Sequence, residues 1–174
     1  SFSNLNAGNF VLTITDQQAC SFIQNFSISQ PSAIILALSN RTNVSCFGAN
    51  NGSLTVSGFN GVSPYRYNIG AGNQTTNTFP NLSPNNYIIT LTDANNCTVS
   101  QSFPITQPAQ LSATISSQAN STCYQSNNGV LIFSSAGGTS PYRYNIGAGN
   151  QNSNFIGGLS AGNYLVTITD ANNC

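Results

Sequence analysis

The string PYRYNIGAGNQ runs from Pro64 to Gln74 and returns letter for letter from Pro141 to Gln151, 77 residues later. The same shift carries Cys46 onto Cys123 and Tyr87 onto Tyr164, and it carries Asp16 onto Asp93 and then Asp170. One register covers the chain without insertion or deletion. A period of this length is a whole small domain rather than one turn of a solenoid. The chain therefore divides into the C-terminal part of a repeat (1–29), a full repeat (30–106) and a repeat truncated before its last strand (107–174). Such a division reads as a window on a longer array.

Within one unit the apolar residues alternate. Gln30-Pro31 and Gln107-Pro108 mark the joints, because proline lacks the N–H that would continue a ladder. A first strand is expected over Ile34 to Leu38, and the polar stretch from Asn40 to Asn51 reads as a loop. Ser53 to Ser57 is the next strand. In the repeated string, Tyr65, Tyr67 and Ile69 fall on one face and Arg66 and Asn68 on the other. The copies Tyr142, Tyr144 and Ile146 face inward in the same way, and Arg143 and Asn145 outward. Gly70 to Asn73 reads as a hairpin turn. After a short strand ending at Leu82, Tyr87 resembles the tyrosine corner of immunoglobulin-like sandwiches. Tyr87 and Leu91, with their copies Tyr164 and Ile168, are assigned to the core. Short strands with frequent turn signals and no helical period predict an all-β fold, a tandem array of immunoglobulin-like β-sandwich repeats of 77 residues.

Chemistry-bearing side chains are scarce. Only 3% of the residues are charged, three Arg against three Asp, with no Lys, Glu or His, where an ordinary soluble protein has about 25%. A basic cluster able to displace counterions from a phosphate backbone is lacking, so no nucleic-acid partner is expected. No apolar run approaches the roughly 18 residues that would cross a bilayer, so no membrane insertion is expected of this segment. With 39% hydrophobic residues, seven Tyr and ten Phe, the chain nevertheless has the material for a folded core. Catalysis needs a positioned acid, base, nucleophile or metal. One carboxylate per unit and no histidine offer neither a carboxylate pair nor a triad, and the chain reads as no enzyme, with no cofactor. Asp93 and Asp170 end a strand just before a tight turn, where an Asp caps the backbone ahead of it; they are also weak calcium candidates, short of companion carboxylates. Arg66, Asn68, Arg143 and Asn145 are the residues placed for a surface contact.

The five cysteines occupy two positions of the unit, Cys46 and Cys123 near its start, and Cys20, Cys97 and Cys174 near its end. With no His and no CxxC pair, they suggest disulfides and an extracellular, oxidising location rather than zinc. Three pairings are open. Cys46 with Cys97 and Cys123 with Cys174 would make each unit self-sufficient. Cys46 with Cys174 would join the first loop of one unit to the last turn of the next. Cys20 with Cys46 and Cys97 with Cys123 would pair neighbours along the chain. The intra-unit pairs are preferred, although an immunoglobulin-like topology sets those two positions at opposite poles.

The order Cys-x-Gly-x-x-x-Gly-Ser (Cys46 to Ser53), Pro-Tyr-x-Tyr (Pro64 to Tyr67) and Leu-x-x-x-x-Tyr-x-x-x-Leu-Thr-Asp-Ala-Asn-x-Cys (Leu82 to Cys97) resembles the SprB-type repeat. That family occurs in long cell-surface adhesins of Bacteroidetes bacteria, including gliding-motility adhesins exported by the type IX secretion system. Two departures are Tyr124-Gln125 after Cys123, where the family usually shows Gly, and Asn-Asn-Cys in place of the commoner Asn-Gly-Cys. The resemblance implies an extracellular filament or stalk on a bacterial cell surface. Neighbouring repeats are the expected partners, with surface polysaccharide or other filament subunits as further ones. The alternative expectation is a carbohydrate-binding β-sandwich module acting through Tyr and Asn side chains.

Overall fold

The computed structural model of the chain describes residues 2–174, and every element in it is a β-strand. The N-terminal segment is a single hairpin of β1 (Gly8–Thr15) and β2 (Ser21–Ile28). Seven strands follow before the second Gln-Pro: β3 (Ile35–Thr42), β4 (Gly52–Phe59), β5 (Arg66–Asn68), β6 (Asn73–Gln74), β7 (Thr78–Leu82), β8 (Asn85–Thr92) and β9 (Thr98–Ile105). They form two antiparallel sheets, ordered β3-β4-β7 and β6-β5-β8-β9. The last segment repeats the plan with β10 (Ser112–Ala119), β11 (Gly129–Ala136), β12 (Arg143–Asn145), β13 (Phe155–Leu159) and β14 (Thr167–Thr169), ordered β10-β11-β13 and β12-β14.

Period-two burial builds the middle unit. Along β4, Gly52, Leu54 and Val56 are buried while the residues between them are only partly so; along β8 the buried pair is Ile89 and Leu91. These faces meet with Leu36, Phe79 and Leu82 from one sheet and Tyr67, Phe103 and Ile105 from the other, closed at one end by Val44. Edges are managed by proline. Pro80 lies in β7 and Pro104 in β9, both at the margin of their sheets, where a missing N–H breaks no ladder. Gly52 is required by a close approach: a Cβ there would stand 2.8 Å from the Leu82 carbonyl oxygen and 2.8 Å from Ile105 Cγ2.

Two expectations are corrected. The first strand does not stop at Leu38 but runs on to Thr42, with Asn40, Arg41 and Thr42 paired to Thr55, Leu54 and Ser53 past a bulge. Polar side chains on an edge strand leave its backbone free to pair, so their polarity did not mark a loop. Tyr164, assigned to the core, is exposed. Its counterpart Tyr87 pairs with Phe103 of β9, whereas no strand flanks residues 163–166, and β14 is short. The core of the last unit is correspondingly small, with Phe133, Tyr144, Ile156 and Leu159 buried.

The β1–β2 hairpin shows the same arithmetic without a facing sheet. Its register, Gly8 opposite Ile28 through Thr15 opposite Ser21, is that of β8 and β9 shifted by one unit. Phe10 stacks on Phe26 at 5.5 Å. Val11, Ile14, Phe22 and Ile23 remain exposed.

Candidate functional site: the joint between repeats

Two loops meet where the middle unit hands over to the last. The first is the β3–β4 loop. Its Val44 N–H donates to the Thr106 carbonyl, its Asn43 Oδ1 accepts the Thr106 N–H, and its Gly48 N–H donates to Gln107 Oε1 at 2.7 Å. These bonds fix the loop at the C-terminal pole of the unit, beside the end of β9. Within it, Asn51 Oδ1 accepts the Ser45 N–H at 3.1 Å and Asn51 Nδ2 donates to Ser45 Oγ at 2.6 Å.

The second is the turn after β14. Asp170 Oδ1 accepts the N–H groups of Asn172 and Cys174 at 2.8 and 2.9 Å, and its Oδ2 accepts the Thr139 N–H. Burial opposes ionisation of Asp170, but the N–H donors of Cys174, Thr139 and Asn172, with the positive charge of Arg143, outweigh it and hold the carboxyl below its ordinary pKa. Arg143 donates to Asn173 Oδ1 at 2.6 Å and to the Asp170 carbonyl at 3.4 Å. The turn is thus a rigid platform that presents Asn172 and Cys174.

The two loops are joined covalently. Cys46 and Cys174 form a disulfide with a Cα–Cα distance of 5.6 Å, within the ordinary range for such a bond. Asn172 Nδ2 donates to the Ser45 carbonyl at 3.0 Å and to Thr139 Oγ1 at 3.0 Å, so one amide bridges both units. The preferred intra-unit pairing is therefore corrected: Cys46 bonds the next unit, and Cys20, Cys97 and Cys123 are free and exposed. The reason is polar geometry. Cys46 lies at the end of the unit where β9 finishes, while Cys97 precedes its first residue, and eight strand residues span about 26 Å. A disulfide cannot cross that distance.

The other candidate residues are occupied within their own units. Asp93 Oδ2 accepts the Val62 N–H at 3.0 Å, and its Oδ1 accepts those of Asn95 and Cys97, both at 2.9 Å. The Val62 bond, helped by those two and opposed by burial, lowers its pKa. These donors make the Asp93 carboxylate a turn anchor. Asn68 accepts the Gly70 N–H at 2.6 Å and donates to Asn73 Oδ1; Asn145 does the same with Gly147 and Asn150. Both amides close the hairpin of the repeated string rather than face a ligand. Arg66 is exposed. Tyr67 and Tyr144 are buried, and Tyr65, Ile69, Tyr142, Ile146 and Ile168 half-buried. Asn172 and Thr139, which complete the joint, were missed; their only signal lay in their proximity to Cys174 and to the repeated string.

The motif that contributes Cys46 and the Tyr strand is the one a family model covers: the SprB repeat model matches residues 38–74. No curated protein matches the chain. The SprB match spans the second half of β3, the Cys46 loop, β4 and the Tyr hairpin through Gln74. The SprB repeat belongs to a family of surface-adhesin repeats, and a disulfide fits an extracellular location.

Proposed function

We propose that this chain is a non-enzymatic stalk segment of a long extracellular adhesin, a run of sandwich beads that holds an adhesive surface away from the cell. The observation that carries this reading is the covalent joint. Two successive units are clamped by Cys46–Cys174 and by the Asn172 bridge to Ser45 and Thr139. A single flexible linker would leave them to swivel. A spacer needs fixed inter-bead geometry and a surface indifferent to salt. Three positive and three negative side chains supply the latter. A role in adhesion or gliding motility, with export by the type IX route, belongs to this reading through the SprB match at residues 38–74.

The test is small-angle scattering on the oxidised chain and on the Cys46→Ser variant. The oxidised chain is expected to give one narrow distribution of inter-unit distances, and the variant a broader one with both sandwiches intact by circular dichroism. An oxidised chain that scatters as freely jointed, collapsing beads would overturn the proposal.

A further inference from the structure

The joint is built from two half-sites, and each recurs elsewhere in the chain without its mate. The Cys46 loop recurs at Cys123. There Asn128 Oδ1 accepts the Thr122 N–H at 3.1 Å and Asn128 Nδ2 donates to Thr122 Oγ1 at 2.8 Å, the bonds that Asn51 makes to Ser45. The Cys174 turn recurs at Cys97, where Asp93 Oδ1 gathers the Asn95 and Cys97 N–H groups as Asp170 gathers those of Asn172 and Cys174.

Exposure differs between the occupied and the open halves. Ser45, Cys46 and Cys174 are half-buried, whereas Thr122, Cys123 and Cys97 are exposed. The aromatic residue after the loop cysteine follows suit: Phe47 is 52% exposed at the formed joint and Tyr124 92% at the open one. The Ser45 carbonyl accepts the Asn172 side-chain amide and lies 3.5 Å from the Cys174 sulfur, while the Thr122 carbonyl and the Asn95 side-chain amide have no hydrogen-bond partner among the described residues.

We propose that the Cys123 loop and the Cys97 turn are docking half-sites for further repeats of this same type. A following repeat would close its last turn on Cys123, and a preceding repeat would close its first loop on Cys97, each in the geometry of Cys46–Cys174. This rests on the stalk reading and gives it a rule: the loop cysteine of each repeat bonds the turn cysteine of the next. What points to a repeat as the partner is that the same two positions of the unit are already bonded to one another across a joint in this chain. The bond forms by exchange with a small-molecule disulfide such as oxidised glutathione. One cysteine thiolate attacks it and expels a glutathione thiolate. The second cysteine thiolate then attacks the mixed disulfide and expels the other. Two protein thiols are oxidised and one glutathione disulfide is reduced to two thiols.

Two extended chains test this. In one, a second copy of residues 98–174 is added after Cys174; in the other, a copy of residues 30–77 is placed before Ser1. Both additions continue the 77-residue register. Each is oxidised with glutathione disulfide, and non-reduced peptides are mapped by mass spectrometry. The expected results are a link from Cys123 to the added copy of Cys174 in the first chain, and from Cys97 to the added copy of Cys46 in the second. Both cysteines should lose their alkylation, and Cys46–Cys174 should be retained. A retained Cys46–Cys174 link with Cys123 and Cys97 still alkylated overturns this inference alone, as does a Cys97–Cys123 link. Loss of Cys46–Cys174 itself, in the unextended chain as well, overturns the stalk reading and this inference together.

Discussion

The Asp93 carboxylate accepts the Val62 N–H at 3.0 Å, tying the β8–β9 turn to the loop ahead of the Tyr strand. Asp170 and Thr139 repeat the contact one unit later. Asp16 caps its own turn through Gln18 and Cys20, and no such cross-loop donor serves it among the described residues.

Acid should therefore loosen the turns first. Asp93 and Asp170 have folded pKa values below the ordinary 3.8. A carboxyl depressed in this way contributes its full stability above the unfolded value and loses it as pH falls through the folded one. Thermal denaturation is expected to be independent of pH above 3.8 as far as these groups contribute, and the melting temperature to fall below it. In Asp93→Asn the neutral-pH melting temperature should drop and the acid dependence of the middle unit should weaken. A variant that kept the full acid dependence would show that Asp93 is not its source.

Tyr87 is a second pin. Its hydroxyl donates to the Ser83 carbonyl at 3.0 Å and lies 3.2 Å from Ser83 Oγ. Tyr87→Phe keeps the ring and removes this bond, so it should cost about 1 kcal/mol in urea unfolding of the middle unit. Tyr164 makes the matching bonds to Ser160 but is exposed, so Tyr164→Phe should cost less. Equal losses at the two positions would contradict this.

Core truncation should separate the units. Leu54 is fully buried, and Leu54→Ala should cost about 2–5 kcal/mol through lost burial and a residual cavity. Leu131, its copy, is only half-buried against a smaller cluster. Hydrogen exchange should show the last unit opening before the middle one in the parent chain. Leu54→Ala should bring the middle unit's protection down towards it, and an unchanged order and spacing would refute the assignment.

Gly52 tests backbone approach. Gly52→Ala would push a methyl to within 2.8 Å of the Leu82 carbonyl oxygen and of Ile105 Cγ2. Overpacking of this kind should cost about 1–3 kcal/mol. Gly70 has open space around the added atom but a φ of +103°, so Gly70→Ala should destabilise by strain alone. The two are told apart by removing the Ile105 Cγ2 methyl: Gly52→Ala is expected to be partly rescued by Ile105→Leu, which carries no branch on Cβ, and Gly70→Ala not at all.

Much of this fold was legible because alternation and burial agree. Leu54 with Val56, and Ile89 with Leu91, could be assigned from period two because both sheets bury one face only. The repeat register transferred each assignment to the next unit. Where a partner decides the outcome, the sequence was mute. The amides of Asn68 and Asn145 look free in an alternating strand, yet they turn back into their own hairpins. Cysteine spacing is equally compatible with closure inside a unit and across the joint. Only the positions of the two poles separate them.

The Cys46–Cys174 bridge also sets how the chain carries a pull. Tension applied ahead of β3 and at Cys174 reaches Cys46, crosses the sulfurs and bypasses the 128-residue span between them. That span includes β4 to β14, nearly all of both hydrophobic clusters. Stretched out, it would release a length on the order of 400 Å. With the bridge closed, that slack is withheld, and shear along β3 and its neighbours remains as the mechanical response of the joint.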